Sequence, residues 1–547
     1  QGCSKKDSVK PTKNLIVMIT DGTSTGLLST ARWYKQYMDP QEDLSSLAID
    51  PYIKGLMRVF NSDAPIAESS GSMSDYMTGV IQQGRNLSVY PQSNPPFNLV
   101  PIDVSREFQP QTTLAEAARL QQGKSVGVVA TCQFYHATPA ANMMKSILTF
   151  GTLIVVMQAR NWLTNTDAKL TEGEFYMLTI STLLGMFMMM SAGDFLMFFL
   201  GLEMASVPMG CMVALDKWRN NSAEAAAKFI LTATFSSGVM LYGISFLYGA
   251  TGTLYFKDFA KLLDATPMIL MGMVFFIAGL GFKISLVPFH FWTADTYQGA
   301  PTTVTGYLSV ISKGAAAFTL VAILYKVFIA IMPYWTISMM ILVVLSITIA
   351  NLMAIRQTEL KRFMAFSSIS QAGYIMLVAI GGNYVMSITA LMYYVLIYIV
   401  ANMAVFTIIA SVENANDGRT DMAAYNGMYK NNPKMAFLMT LALFSLGGIP
   451  PFAGMFSKFF VFLAAVDGRP TFWPYCIVFI ALVNTVISLY YYLLIVKAMY
   501  INNDGEALPT FKMDGNTKLT LVICTAGVML FGVVSCIYEA LHSAAAA

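Results

Sequence analysis

The sequence predicts a mainly α-helical protein: a polytopic membrane helix bundle of about twelve spans, preceded by a truncated α/β segment. Hydrophobic residues make up 56% of the 547 positions and charged residues only 12%, which is too few charges for a soluble chain of this length. The character of the sequence also changes at Ala140–Asn142, where an ordinary mixture of residues gives way to long apolar runs. We therefore predict two domains, 1–140 and 142–547.

The first domain has the pattern of a parallel α/β sheet. Leu15–Ile19 and Val126–Ala130 are apolar runs of strand length, and Thr113–Leu120 has the composition of a helix between them. The order strand, helix, strand favours parallel pairing. Asp21 lies just beyond the first strand. An acidic residue in that position is a candidate metal ligand or catalytic group.

Three motifs in this domain resemble alkaline phosphatase. They are Asn14–Gly22, Glu68–Gly79 and Phe134–Ala140. The resemblance implies that Asp21 is a metal ligand, Ser69 the nucleophile that attacks phosphorus, and Thr138 a ligand of the magnesium site. A polar loop is the alternative interpretation of the serine-rich run around Ser69.

The number of histidines limits this phosphatase chemistry. The family's site holds two zinc ions, and zinc is bound largely by histidine and acidic side chains. The chain has 3 histidines, and two of them, His290 and His542, belong to the second domain. We expect an incomplete phosphatase-like site, with zinc and magnesium bound only if that site were complete. A phosphomonoesterase inactivated by truncation is one alternative function of the chain.

Net charge and cysteine spacing argue against two further classes. A net charge of +3 gives no reason to expect a nucleic-acid partner. The 6 cysteines include no C-x-x-C pair, so neither a zinc knuckle nor an iron–sulfur site is indicated. Gly2-Cys3-Ser4 resembles the mature start of a bacterial lipoprotein with Cys3 lipidated, and a free cysteine is the alternative.

The second domain is predicted to cross the membrane as helices. A helical span needs ~20 apolar residues to cross ~30 Å of hydrocarbon, whereas barrel strands are ~10 residues long and alternate in polarity. We identify about twelve runs of helical length: 143–159, 174–191, 194–214, 223–249, 267–292, 302–325, 336–355, 363–382, 385–411, 434–466, 473–499 and 518–540.

The loops between these runs predict the orientation of the bundle. Alternate loops hold thirteen Lys and Arg residues on one side and four on the other. Cytoplasmic loops carry the excess of positive charge. The N-terminal segment and the C-terminus are therefore both expected on the outer side of the membrane. The spans of the second domain are expected to contact the lipid bilayer.

Charged residues inside the spans are the candidate functional residues. Near the middle of their spans lie Glu203, Lys283 and Lys313; Lys228 lies one to two turns inside its span, and Lys458 follows a break. A charge at the bilayer centre costs at least ~2.5–3.5 kcal/mol on insertion scales, so such residues usually face a protein interior or water and serve a function. Snorkelling to the headgroups is the alternative for Lys228.

Two spans are interrupted in a similar way. Gly279–Trp292 and Leu446–Lys458 each combine a Gly/Pro break with a lysine. Paired broken helices in two halves of a membrane protein indicate an inverted-repeat transporter core, in which exposed backbone groups line a polar path.

Proton transfer is the chemistry that these residue types favour. Burial disfavours the charged form of lysine and a neighbouring carboxylate favours it, so a row of lysines modulated by Glu203 can pass protons stepwise. His290, in the first break, suits such a relay because imidazole titrates near neutrality; a hydrogen-bonded core histidine is the alternative. We expect this domain to bind no cofactor of its own.

Three long motifs resemble subunit N of bacterial NADH-quinone oxidoreductase (complex I). They are Gly281–Pro301, Leu360–Tyr374 and Phe444–Lys458, and the resemblance covers about 142–547. It implies an antiporter-like fold and a proton path in which Lys283 is central. Glu203 acts on this path through Lys228, while Lys313 and Lys458 continue it toward the outer side.

The same resemblance implies partners and a location. The chain is expected in the bacterial inner (plasma) membrane with other membrane subunits of the complex, which uses NADH and quinone elsewhere and drives the pump. The family usually has fourteen spans, and the first two are missing here. A stand-alone cation/proton antiporter and a hydrogenase-linked relative are the alternative functions.

Overall fold

The computed structural model describes most of the second domain. The described residues are 135–165, 172–216, 219–416, 418–468, 471–502, 508–511 and 513–547. The predicted strands and helix of the first domain, together with Asp21 and Ser69, lie outside them.

The described residues are almost entirely helical. Their β-structure consists of three isolated bridges, Tyr135 to Ala192, Asp194 to Tyr255 and Glu359 to Asp421. The helices are α1 Pro139–Asn165, α2 Glu172–Met190, α3 Phe195–Val213, α4 Asn220–Thr251, α5 Phe256–Leu262, α6 Pro267–Ile284, α7 Phe291–Gly299, α8 Thr302–Lys326, α9 Ile329–Ala354, α10 Leu360–Ile380, α11 Tyr384–Ala415, α12 Met428–Asn431, α13 Pro433–Gly447, α14 Ala453–Val466, α15 Phe472–Tyr500, α16 Gly515–Leu530 and α17 Ser535–Ala546.

Each predicted span has a counterpart in these helices. Ten helices of the described chain are continuous, long and apolar enough to cross a membrane. The two remaining spans are interrupted: one is the short pair α13 and α14, and the other is the pair α16 and α17, which is bent by 84°. Gly532 lies at this bend, where an added Cβ would approach the Ala453 backbone of α14 to 2.8 Å. The sequence did not reveal the bend because its residues are apolar throughout.

Three helices form the centre of the bundle. Helix α10 is buried along its whole span, and α8 and α11 are buried along most of theirs. The helices around them bury only part of their surface and expose large apolar side chains, such as Leu231, Phe235 and Val486. A polar centre surrounded by an apolar exterior is the arrangement expected of a protein whose solvent is lipid.

The two predicted breaks have closely similar backbones. Helix α6 ends at Ser285 with φ of +67°, and α13 ends at Gly448 with φ of +85°. A left-handed residue just beyond the last turn is the common helix ending, and glycine adopts it without penalty. Ser285 adopts it without being glycine. Each break therefore ends a helix inside the apolar layer and leaves backbone carbonyls for other partners.

Candidate functional site

Lys283 lies in the last turn of α6, just before the first break. Only 5% of the residue is exposed. Its ammonium donates to the Ser206 hydroxyl at 2.7 Å and to the Ala205 carbonyl at 3.4 Å, both on α3. The lysine is therefore held by neutral oxygens of a neighbouring span.

Glu203 and Lys228 take no part in the hydrogen bonds of Lys283. Glu203 lies one turn before Ser206 on α3 and is half-buried, and within the described residues it forms no ion pair with Lys283. The Lys228 side chain is 45% exposed and pairs with Glu224 at 2.8 Å and Asp295 at 2.9 Å. The role of Lys228 as a link between Glu203 and Lys283 stays a prediction.

A small cavity borders Lys283 between α3, α4 and α6. Its volume is about 10 Å³, and its polar lining comes from Ser206, Ser236 and Ser237. A volume of this size holds about one water molecule when two or more polar partners are present. The site therefore has room for a proton carrier beside the lysine.

Lys313 lies on the central helix α8 and is 2% exposed. Its ammonium donates to the Ser368 hydroxyl of α10 at 2.9 Å and lies 5.2 Å from the centre of the Tyr297 ring. The turn that precedes it, Leu308–Ser312, is a π-helical turn. Such turns are rare, and they often occur where a helix carries a functional residue.

His290 lies in the first break, between the end of α6 and the start of α7. It is 8% exposed, and its ring packs against Phe291 with the ring centres 4.7 Å apart. The break also receives the Trp292 indole, which donates to the Phe282 carbonyl at 3.1 Å. His290 is thus buried on the other side of the first break from Lys283, and it takes no part in the hydrogen bonds of Lys283.

Lys458 lies on α14, just after the second break, and is 4% exposed. Its ammonium donates to the Gly447 carbonyl at 3.1 Å and lies 5.0 Å from the centre of the Tyr374 ring. The two half-helices approach closely here, because a Cβ added to Gly454 would fall 1.7 Å from the Ser445 carbonyl oxygen. The lysine, like Lys283, is bound by neutral oxygen.

Helix α10 connects the surroundings of Lys313 and Lys458. Ser368 binds Lys313, and one turn later the Gln371 amide donates to the Leu446 carbonyl and to the Tyr492 hydroxyl, both at 3.3 Å. The Tyr394 hydroxyl donates to the side-chain amide oxygen of Gln371. A ladder of polar side chains therefore crosses the centre of the bundle.

Ser368 and Gln371 lie in the motif Leu360–Tyr374, and no role was predicted for either residue. A signal was present for Gln371, because Ser367, Gln371 and Tyr374 follow the spacing i, i+4, i+7 on one face of a helix. Polar residues on one face of a fully buried span indicate a polar path in the same way as a single lysine does.

Loops from four parts of the chain meet at one end of the bundle, which we call the basic end. Arg219 contacts Glu413, the Lys361 ammonium donates to the Ala300 carbonyl, and Glu359 accepts from Thr420. A second group of charges lies beside them, where Asp295 pairs with Lys228 at 2.9 Å and with Arg362 at 2.6 Å. The hydrogen bond from Lys228, together with Arg362, lowers the pKa of Asp295 below its usual value.

Thr138 has a structural contact in the described part of the chain. Its hydroxyl accepts a hydrogen bond from the backbone N–H of Ala141 at 3.2 Å. Thr138 therefore caps the start of α1, with Pro139 as the first helical residue, and both residue types favour these positions. Its predicted role in a magnesium site stays a prediction, because the other predicted residues of that site lie outside the described ranges.

The membrane domain matches known proteins over most of its length. Residues 192–488 match the family described as NADH:quinone oxidoreductase/Mrp antiporter, TM. NADH-quinone oxidoreductase subunit N of Phocaeicola vulgatus is 57% identical over 75% of this chain and 86% of its own length. Subunit N of Azobacteroides pseudotrichonymphae is 53% identical over 72% of this chain and 82% of its own length.

The chain belongs to the family of NADH-quinone oxidoreductase subunit N. This confirms the predicted resemblance and the prediction that the chain is a proton-translocating membrane subunit of an oxidoreductase complex. It also confirms the predicted antiporter-like helix bundle.

Solved structures agree with this family. Respiratory complex I from Thermus thermophilus with bound aureothin contains a chain with a TM-score of 0.62 and 29% identity, over 74% of this chain and 86% of that one. A chain of the Mrp complex from Dietzia has a TM-score of 0.64 at 19% identity, over 74% and 83%, and shows a shared fold. Residues 12–150 match the alkaline phosphatase family, in agreement with the resemblance of the N-terminal motifs.

Proposed function

We propose that this chain carries protons along a buried route that passes Lys283, Lys313 and Lys458. One observation carries the proposal: all three lysines are buried, and each donates to neutral oxygen rather than to a carboxylate within the described residues. A buried ammonium without a carboxylate is costly, so its protonation depends on small changes around it. A pump requires sites of this kind.

Polar groups connect the second and third lysines. Ser368 receives the hydrogen bond of Lys313, and Gln371 continues the ladder toward the break that holds Lys458. The amide of Gln371 cannot itself release a proton under these conditions, so it acts by orienting the Tyr394 and Tyr492 hydroxyls. Water between these groups would complete the transfer.

The first lysine has its own polar surroundings. Ser206 binds Lys283, and the adjoining cavity is of the size of one water molecule. Glu203 lies one turn from Ser206 on α3, and its charge acts on Lys283 of α6. The charge of Lys313 acts on His290, and Lys228 pairs with Asp295; we assign both residues to the connections of this region with the rest of the route.

Lys313→Ala tests the route. The full chain replaces the resident subunit N of a bacterium, and inverted membrane vesicles are assayed for NADH oxidation and for protons taken up per NADH. We expect the variant complex to assemble, and we expect the number of protons taken up per NADH oxidised to fall. Lys430→Ala is the matched control, because Lys430 is an exposed residue of the short helix α12. Normal proton uptake by an assembled Lys313→Ala complex would refute the route.

The proposal includes a location and partners. The chain lies in the bacterial inner membrane with the basic end in the cytoplasm, and the N-terminal segment and the C-terminus lie on the outer side. The excess of Lys and Arg at the basic end supports this orientation. The partners are other membrane subunits of the oxidoreductase, whose NADH and quinone sites lie elsewhere, so this chain binds neither molecule.

Epitope accessibility tests the orientation. A tag after Ala547 should react with antibody in right-side-out vesicles and become accessible in inverted vesicles only after detergent is added. A tag inserted after Lys430 should behave in the opposite way. The reverse pattern for both tags would overturn the orientation, and purification of this chain without any oxidoreductase subunit would overturn the assigned partners.

A further inference from the structure

Glu413 is a buried carboxylate at the basic end of the bundle. It lies in the last turn of α11 and is 8% exposed. Asp194 is the other buried carboxylate among the described residues, and it caps the start of α3. None of the lysines of the proposed route binds Glu413, so its burial needs a separate explanation.

Three helix starts converge on this carboxylate. Arg219, which precedes α4, binds one oxygen of Glu413 at 2.9 Å. The hydroxyl of Thr302, the first residue of α8, donates to the other oxygen. Lys361, at the start of α10, is buried and lies close enough for its charge to act on Glu413.

The position of Thr302 links this cluster to the lysine route. Lys313 lies on the same helix, eleven residues beyond Thr302, which corresponds to roughly 16 Å along the helix axis. A carboxylate at a helix start is also stabilised by the partial positive charge of that end. Glu413 thus fixes the basic end of the helix that carries Lys313.

Lys361 makes a second contact at the start of α8. Its ammonium donates to the Ala300 carbonyl at 2.7 Å, just before α8 begins. Thr302, Lys361 and Ala300 are all buried. The start of α8 is therefore bound to Glu413 through Thr302 and to Lys361 through Ala300, and both hydrogen bonds are buried.

We propose that Glu413 is a positioning residue that keeps the basic end of the Lys313 route closed by holding the starts of α4, α8 and α10 together. This inference rests on the proposed route. Breaking the contacts of Glu413 would free the start of α8 and admit water toward Lys313 at every stage of the pumping cycle. Protons would then return through the chain, and fewer would be translocated for each NADH oxidised.

Glu413→Gln tests the inference in the same vesicles, because the amide keeps the shape of the side chain and removes its charge. We expect NADH oxidation per assembled complex to persist. The number of protons taken up per NADH oxidised should fall, and the passive proton permeability of the vesicles should rise. Thr302→Val should show a smaller loss of the same kind, and Glu413→Asp should recover part of the wild-type ratio. Glu539→Gln is the matched control, since Glu539 is an exposed glutamate of α17.

A purely structural role gives a different result. It would reduce the amount of assembled complex and leave protons per NADH and passive permeability unchanged in what remains, and that outcome would overturn the proposal. If Glu413→Gln fails to assemble, Thr302→Val and Glu413→Asp decide: reduced ratios support the proposal, and normal ratios in both refute it. Normal pumping by Lys313→Ala would instead refute the route itself.

Discussion

The Lys458 ammonium donates to the Gly447 carbonyl at 3.1 Å, so a lysine in one half of a broken span is held by the backbone of the other half. Gly447 is the last residue of α13, and the final carbonyls of a helix lack partners within it and carry partial negative charge. The break therefore creates an acceptor for a cation in the apolar layer. Lys283 lies on the other side of its own break, before the left-handed Ser285, and binds a neighbouring helix instead.

This backbone arrangement depends on the close contact of the two half-helices at Gly454. We expect Gly454→Ala to lower the stability of the folded chain by ~1–3 kcal/mol or more, because the added Cβ would fall 1.7 Å from the Ser445 carbonyl oxygen. Thermal unfolding of the purified complex in detergent measures the change.

Gly238→Ala is the control for this substitution. Gly238 is an exposed residue of α4, and an added Cβ would have nothing within 4 Å. Alanine should stabilise this helix by ~0.4–1 kcal/mol. Equal midpoints for the two variants would show that the half-helices do not pack as closely as described.

The polar ladder on α10 should be sensitive at Gln371. Gln371→Leu removes the acceptor of the Tyr394 hydroxyl and the donor to the Leu446 carbonyl, and a buried group left without its partner costs ~1–3 kcal/mol. We expect proton uptake per NADH to fall more than NADH oxidation does, measured in inverted vesicles. Gln357→Leu changes a glutamine that lies just after α9, where its side chain donates to the Met353 carbonyl at the end of that helix, and it should leave the ratio unchanged. Equal ratios in the two variants would exclude Gln371 from the route.

The spans and the buried lysines could be predicted because their signals are local. An apolar run of sufficient length must be a helix in the membrane, and a lysine such as Lys313 in its middle must face the interior. The Gly/Pro breaks near Lys283 and Lys458 are local in the same sense. The spans, the buried lysines and the breaks are therefore each predicted by residues that are neighbours in the sequence.

The rotation of the helices could not be predicted. A helix that is apolar all round has little preferred face, so its sequence does not show which neighbour a given residue meets. For this reason the contact of Lys283 with Ser206 and that of Lys228 with Asp295 were not predicted. The contacts of Glu413 join parts of the chain far apart in sequence and were missed for the same reason.

The ion pairs of Asp295 predict a pH dependence of stability. Lys228 and Arg362 lower the pKa of Asp295 in the folded chain below the value of about 3.9 for an unfolded chain. The contribution of these pairs is therefore present above the unfolded pKa and is lost as the pH falls through the lower folded pKa. We expect Asp295→Asn to be less stable than wild type at pH 7 and to approach it as the pH falls through this window, as measured by thermal unfolding.

Asp264→Asn is the control for this pH dependence, because Asp264 is exposed and has no ion pair among the described residues. Its unfolding midpoint should differ little from wild type at every pH. A difference between Asp295→Asn and wild type that stays constant down to the acid limit would contradict the assigned ion pairs.

The contact between Tyr135 and Lys145 predicts that residues before α1 stabilise the membrane domain. Lys145 is 9% exposed, and its ammonium donates to the Tyr135 hydroxyl at 2.6 Å. Tyr135→Phe removes that acceptor and leaves a buried ammonium short of a partner, so we expect a loss of roughly 1–3 kcal/mol in stability. Tyr248→Phe removes a hydroxyl from a tyrosine that is 51% exposed and should have no measurable effect. If the unfolding midpoints of the two variants coincide, the residues just before α1 contribute nothing to the stability of the bundle through this contact.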